Sequence, residues 1–133
     1  MRLKHLLIVN AVFMLGNGVV TVLLPTAQLS LYGLTTGTTE RLMAQYAGLG
    51  SIALGLLAWL SRDVVDPAAR RAVVLTLLVA HLIGAAVSIV GSLSGTLHAL
   101  GWLIAGCYLL FTIGYALFLV AGRTTSPNTM GVP

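Results

Sequence analysis

The sequence predicts an all-α membrane protein: one domain of 133 residues that crosses the bilayer four times as an up-down helix bundle. Three observations carry this. Hydrophobic residues make up 58% of the chain and charged residues only 8%, against a usual share of about 25% charged in soluble domains. Four apolar runs each approach or exceed the ~20 residues needed to cross ~30 Å of hydrocarbon at ~1.5 Å per residue. No run contains Asp, Glu, Lys or Arg. So few charged side chains cannot cover the surface of a soluble fold of this size, and lipid removes the need.

The first run extends from about Leu6 to Leu24 and stops at Pro25. Arg2 and Lys4 before it imitate the start of a signal peptide, but the run is longer than the ~7–15 residues of such a segment. It is therefore expected to be kept as the first span. The second run extends from about Leu42 to Leu60 and ends at Ser61, Arg62 and Asp63. The third extends from about Ala72 to Val90. Asp66-Pro67 ahead of it supplies an N-cap oxygen and then a proline that sacrifices no needed donor. The fourth extends from about Leu97 to Ala121, with Gly122 placed as a C-terminal stop. Residues 122–133 form a polar tail carrying Pro and Gly and are expected to fray.

The connection Gly91–Thr96 is short and uncharged, so the third and fourth spans must be antiparallel neighbours. The connection from Pro25 to Glu40 carries Leu29, Leu31, Tyr32 and Leu34, more apolar surface than a solvated loop needs. It is expected to lie along the membrane interface with Tyr32 at headgroup level.

Six of the seven Lys and Arg residues fall on one side: Arg2, Lys4, Arg62, Arg70, Arg71 and Arg123. Arg41 alone falls on the other, beside Glu40. The basic side is cytoplasmic by the positive-inside rule, so both termini are expected there. The net charge of +4 is explained by this rule and does not form a patch for nucleic acid. Cys107 is the single cysteine. It excludes an internal disulfide and paired-thiol redox chemistry.

Small residues recur at spacing four: Ala47, Ser51 and Gly55 in span two, Ala80, Gly84 and Ser88 in span three, Gly101 and Ala105 in span four. Such stripes allow close approach of a neighbouring backbone, within the bundle or from a docked partner. Asn10 and Asn17 stand seven apart on span one, on the face of Met14 and Thr21. An amide in hydrocarbon needs partners, so these two face another helix, as interhelical glue, or a polar cavity.

Counting along the spans places Asn17, Ser51, His81, Cys107 and Tyr108 in one layer near mid-bilayer. His81 there has three candidate roles: proton relay, axial ligand to a haem or chlorophyll, or neutral hydrogen-bonded core residue directed towards Asn17 or Tyr108. His98 lies roughly 13 Å away along the bilayer normal, too far to complete a bis-histidine haem site. No catalytic constellation, metal-ligand set, phosphate-binding loop or intramembrane carboxylate is present, and no cofactor is required.

Leu31–Leu34, the Gly48–Leu60 run with Arg62-Asp63 behind it, and the Arg70-Arg71 entry to span three resemble small bacterial four-helix membrane proteins, broadly DoxX-like. The resemblance implies the bacterial cytoplasmic membrane and brings no catalytic residues. From minimal loops and small-residue stripes, the leading expectation is a structural or accessory subunit of a larger membrane assembly, with lipids and other membrane subunits as partners. The alternative is a small-molecule-binding or transport protein using the midplane polar layer. A third reading is a pigment- or haem-binding subunit through His81.

Overall fold

A computed structural model describes residues 3–121, so Arg2, the stop at Gly122, Arg123 and the tail lie outside the described residues. The order is α1 (Leu3–Leu23), α2 (Pro25–Leu31), α3 (Thr38–Leu60), α4 (Pro67–Leu93) and α5 (Ala99–Ala121). The four long helices are each long and apolar enough to cross a membrane, and together they form an all-α bundle. Val12, Leu60, Val87 and Leu110 are exposed, as are many other large apolar side chains around the bundle. A lipid phase accounts for that surface.

The helices do not match the apolar runs residue for residue. α1 starts at Leu3 rather than Leu6, α3 at Thr38 rather than Leu42, and α4 spans Pro67–Leu93 rather than Ala72–Val90. α5 starts at Ala99, two residues later than expected. The reason is that backbone hydrogen bonding continues to a cap, whereas an apolar run stops at the first charge. Lys4, Glu40, Arg41, Arg70 and Arg71 all sit in early helical turns, where long side chains reach the interface. The caps follow local chemistry. Asp66 Oδ2 accepts from the Ala69 backbone N–H at 2.7 Å, and Pro67 opens α4.

The Pro25–Glu40 connection is not merely an interfacial loop. Leu24, held out of helical geometry ahead of Pro25, ends α1, and Pro25 opens α2 in a new direction. α2 closes on Gly33, whose φ of +77° suits a residue without a side chain. The Gly33 N–H donates to the Ser30 carbonyl at 3.0 Å and the Leu34 N–H to the Leu29 carbonyl at 2.9 Å, closing the last turn. The His98 N–H donates to the Tyr32 carbonyl at 3.0 Å, and the His98 ring packs over Gly33. This ties the turn after α2 to the turn before α5.

The long helices associate most closely as α1 with α3 and α4 with α5. Glycine lets the first pair approach backbone to backbone. A Cβ on Gly18 would stand 2.8 Å from the Gly48 carbonyl oxygen and 2.9 Å from the Ile52 nitrogen. A Cβ on Gly55 would stand 2.9 Å from the Leu15 nitrogen. The two pairs join through a core of Leu6, Leu7 and Ala11 from α1, Ala58 from α3, Val74 and Leu77 from α4, and Phe111 and Tyr115 from α5. That core occupies the end of the bundle where α1 begins. The opposite end contains α2.

At the core end, the Lys4 ammonium donates to Asp63 at 2.6 Å, and the Arg62 guanidinium lies 3.4 Å from the same carboxylate and over the Trp59 ring. The hydrogen bond from Lys4, with the charges of Lys4 and Arg62, holds the Asp63 carboxyl below the usual carboxylate range.

Candidate functional site

Two polar constellations lie inside the bundle, and they differ in access. The first is closed. Asn10, His81 and Tyr115 are fully buried. The Asn10 side chain lies 2.8 Å from the Tyr115 hydroxyl and 2.9 Å from His81 Nε2, while His81 Nδ1 lies 2.6 Å from the Leu77 carbonyl oxygen. The chain thus links α5, α1 and α4. Tyr108, Phe111 and Tyr115 pack their rings around the imidazole, with centroids 5.6, 5.1 and 5.7 Å away.

His81 therefore points into the bundle, but its partner is Asn10 rather than Asn17, and Tyr108 offers its ring rather than its hydroxyl. The depth count assumed spans of equal placement. His81 instead sits roughly 21 Å along α4 and Asn10 roughly 10 Å along α1, so the two parallel helices are staggered. Both imidazole nitrogens are engaged by protein groups. Among the described residues no group of His, Cys, Asp and Glu is arranged to hold a metal ion.

The second constellation is open. A cavity of about 510 Å³ lies between α1, α2, α3 and α5, within the ~300–1,000 Å³ range of small-molecule sites. Along α3 it runs from Thr39 to Ser51, roughly 18 Å. Asn17, Ser51 and Tyr108 line it, so three of the five residues expected in one midplane layer meet there. His81 belongs to the closed chain, and Cys107 lines neither site. Met43 and Ala47 are exposed on its α3 wall, leaving it open towards the apolar surroundings.

α2 supplies what was missing from the sequence reading. Gln28 is only 8% exposed, and its Nε2 donates to Asn17 Oδ1 at 3.0 Å and to the Tyr32 hydroxyl at 3.0 Å. Thr21 spends its hydroxyl on the Asn17 carbonyl at 2.7 Å. Burial holds the Tyr32 hydroxyl above the usual phenol range, so it stays protonated at neutral pH. Glu40 is the one charged residue lining the cavity, and its carboxylate makes no ion pair among the described residues. Arg41 faces a separate cleft with Leu23 and Gln45.

The small-residue stripes are used largely within the bundle. Gly55 packs on Leu15 and Gly84 on the Tyr108 ring, 3.1 Å from where a Cβ would stand. Ser88, Gly101 and Ala105 are buried and Ala80 partly so. Ala47 and Ser51 line the cavity. Asn10 and Asn17 divide the two roles open to them: Asn10 is interhelical glue, and Asn17 lies in a polar cavity.

Sequence signals for the missed residues existed. Tyr115 follows Tyr108 by seven, the same-face spacing that singled out Asn10 and Asn17. Pro25 is a helix-start signal that makes Gln28 a helical rather than a loop residue. No protein-family model, curated protein or solved structure matches this chain.

Proposed function

We propose that this protein binds a small amphipathic molecule in the cavity between α1, α2, α3 and α5, as a membrane-embedded binding or transport protein. The carrying observation is the pairing of Asn17 and Gln28 beside open space. Among the described residues, their shared hydrogen bond leaves amide N–H donors and one amide oxygen without a partner. A polar group left unpaired inside a membrane domain is costly unless a ligand or water meets it. The Asn10 chain, by contrast, gives each of its side-chain nitrogens and oxygens a partner within the bundle.

The test is native mass spectrometry of protein taken from membranes in a mild detergent. A small-molecule adduct retained by the wild type and lost on Ala47→Phe, which fills the cavity from α3, supports the reading. An adduct-free wild type, or one whose adduct survives the substitution, overturns it.

The accessory-subunit reading retains one observation. Among the described residues nothing stands within 4 Å of where a Cβ on Gly16, Gly50 or Gly106 would lie, so each leaves open space beside its helix. Large subunits co-purifying with the wild type would favour it. For either role we place the protein, like the DoxX-like proteins it resembles, in a bacterial cytoplasmic membrane with the core end of the bundle inward.

A further inference from the structure

We infer that the cavity selects a neutral amphiphile whose head carries both a hydrogen-bond donor and an acceptor, such as a hydroxyl or amide, and rejects the anionic phosphate heads of bulk phospholipids. This rests on the reading of the cavity as a ligand site and names its ligand class.

The first argument is an inventory of donors and acceptors. Gln28 Nε2 commits its hydrogens to Asn17 Oδ1 and the Tyr32 hydroxyl. That leaves Asn17 Nδ2 as a donor and Gln28 Oε1 as an acceptor. Turning both amides over exchanges the residues but still leaves free amide N–H donors and one free carbonyl oxygen. The Tyr108 hydroxyl has no hydrogen-bond partner among the described residues either. None of these atoms is sealed: among the described residues, the buried side-chain atom lacking a partner is Ser92 Oγ, in a different place. A head with only acceptors would leave the amide oxygen unmet, and one with only donors would leave the amide nitrogen unmet. Gln28 is more than nine-tenths buried yet lines the cavity, so an occupant of the cavity is what supplies the complement.

The second argument is charge. Among the described residues no Lys, Arg or His lines the cavity, and Glu40 does. A phosphate entering there would lose hydration, gain no cation and meet a carboxylate in a partly apolar setting. A neutral head loses little. Met43 and Leu29 flank the polar groups, and the opening past Met43 and Ala47 lets an acyl chain extend into the surrounding hydrocarbon.

The test compares 1-oleoylglycerol with 1-oleoyl-lysophosphatidic acid, the same molecule bearing a phosphate, by their effect on the thermal unfolding midpoint of the full chain in a neutral maltoside detergent. The expected result is a rise of several degrees with 1-oleoylglycerol and none with the phosphate. Asn17→Leu abolishes the rise. Tyr108→Phe, which removes only a hydroxyl with no partner among the described residues, reduces it. Glu40→Gln lets the phosphate produce a rise. A phosphate that stabilises the wild type as well as the glycerol does overturns the selectivity and leaves the cavity reading standing. A glycerol effect untouched by both Asn17→Leu and Tyr108→Phe places binding elsewhere and overturns the inference. No effect of either probe overturns the inference and counts against the cavity as a lipid-accessible site.

Discussion

His81 Nε2 lies 2.9 Å from the Asn10 side chain, and this contact joins α4 to α1 in the dry centre of the bundle. It is the middle link between the Tyr115 hydroxyl and the Leu77 carbonyl. Such a chain is worth having in hydrocarbon only when complete, because every unmatched group inside it loses water without gaining a partner.

Removing the imidazole should therefore cost more than replacing it by another polar group. His81→Leu leaves the Asn10 amide short of a partner in a buried site, at about 1–3 kcal/mol. His81→Gln restores a donor and an acceptor at nearly the same reach and should cost about 1 kcal/mol or less. Thermal or denaturant unfolding in detergent measures both. Equal losses for the two variants would mean that ring packing against Tyr108, Phe111 and Tyr115, not the hydrogen bond, is what His81 contributes.

Much of this architecture is readable from the chain, for identifiable reasons. The four spans follow from hydropathy, and Asp66-Pro67 marks the start of α4 because cap and proline act within one turn. Which polar residues would meet is a different matter. Pairing Asn10 rather than Asn17 with His81 depends on the stagger between α1 and α4. That stagger is larger than the two-residue difference in how far α1 and α4 extend past their apolar runs, so hydropathy does not encode it. The cavity depends on α2, whose seven residues are too short to register as a periodic segment, although Pro25 announces them.

Gly18 and Gly50 should respond to alanine with opposite signs. At Gly18 the new methyl meets the Gly48 carbonyl oxygen and the Ile52 backbone nitrogen inside van der Waals contact, so α1 and α3 must separate. Overpacking of this kind costs about 1–3 kcal/mol. At Gly50 the methyl meets nothing within 4 Å, and the helix gains up to about 1 kcal/mol from the better helix former. Unfolding midpoints of Gly18→Ala and Gly50→Ala in one detergent decide the matter. A tolerated Gly18→Ala would show that the close crossing of α1 and α3 is not what holds the pair.

Topology should read the same from charge and from packing. Lys4 pairs with Asp63, so the start of α1 and the α3–α4 connection share one end of the bundle. Leu6 packs against Gly114, which brings the last third of α5 towards that end. This end carries Lys4, Arg62, Arg70 and Arg71, so reporter fusions after residue 65 and after residue 121 should read cytoplasmic. A fusion near Thr36, beyond α2, should read external. An external reading after residue 121 would remove one of the four spans.

The protons of the buried chain can be assigned from its acceptors. The Leu77 carbonyl can only accept, so His81 Nδ1 carries a hydrogen and donates to it at 2.6 Å. With Nδ1 protonated, a neutral ring offers Nε2 as an acceptor, and Asn10 must then present its amide nitrogen. Turned that way, the Asn10 oxygen accepts from the Tyr115 hydroxyl, and donors run in one direction from Tyr115 through Asn10 and His81 to Leu77. The opposite amide orientation needs a hydrogen on both ring nitrogens, hence an imidazolium in a site where the described residues supply no carboxylate. The neutral, one-directional chain is the arrangement that leaves no charge uncompensated. Nitrogen-15 spectra of labelled histidine near neutral pH should show His81 protonated at Nδ1 and bare at Nε2, the reverse of the tautomer usual in solution. Asn10→Asp should turn the same signal into that of a ring protonated at both nitrogens, because a carboxylate then replaces the amide. A wild-type signal already protonated at both positions would show that Asn10 presents its oxygen and that the bundle holds a buried cation.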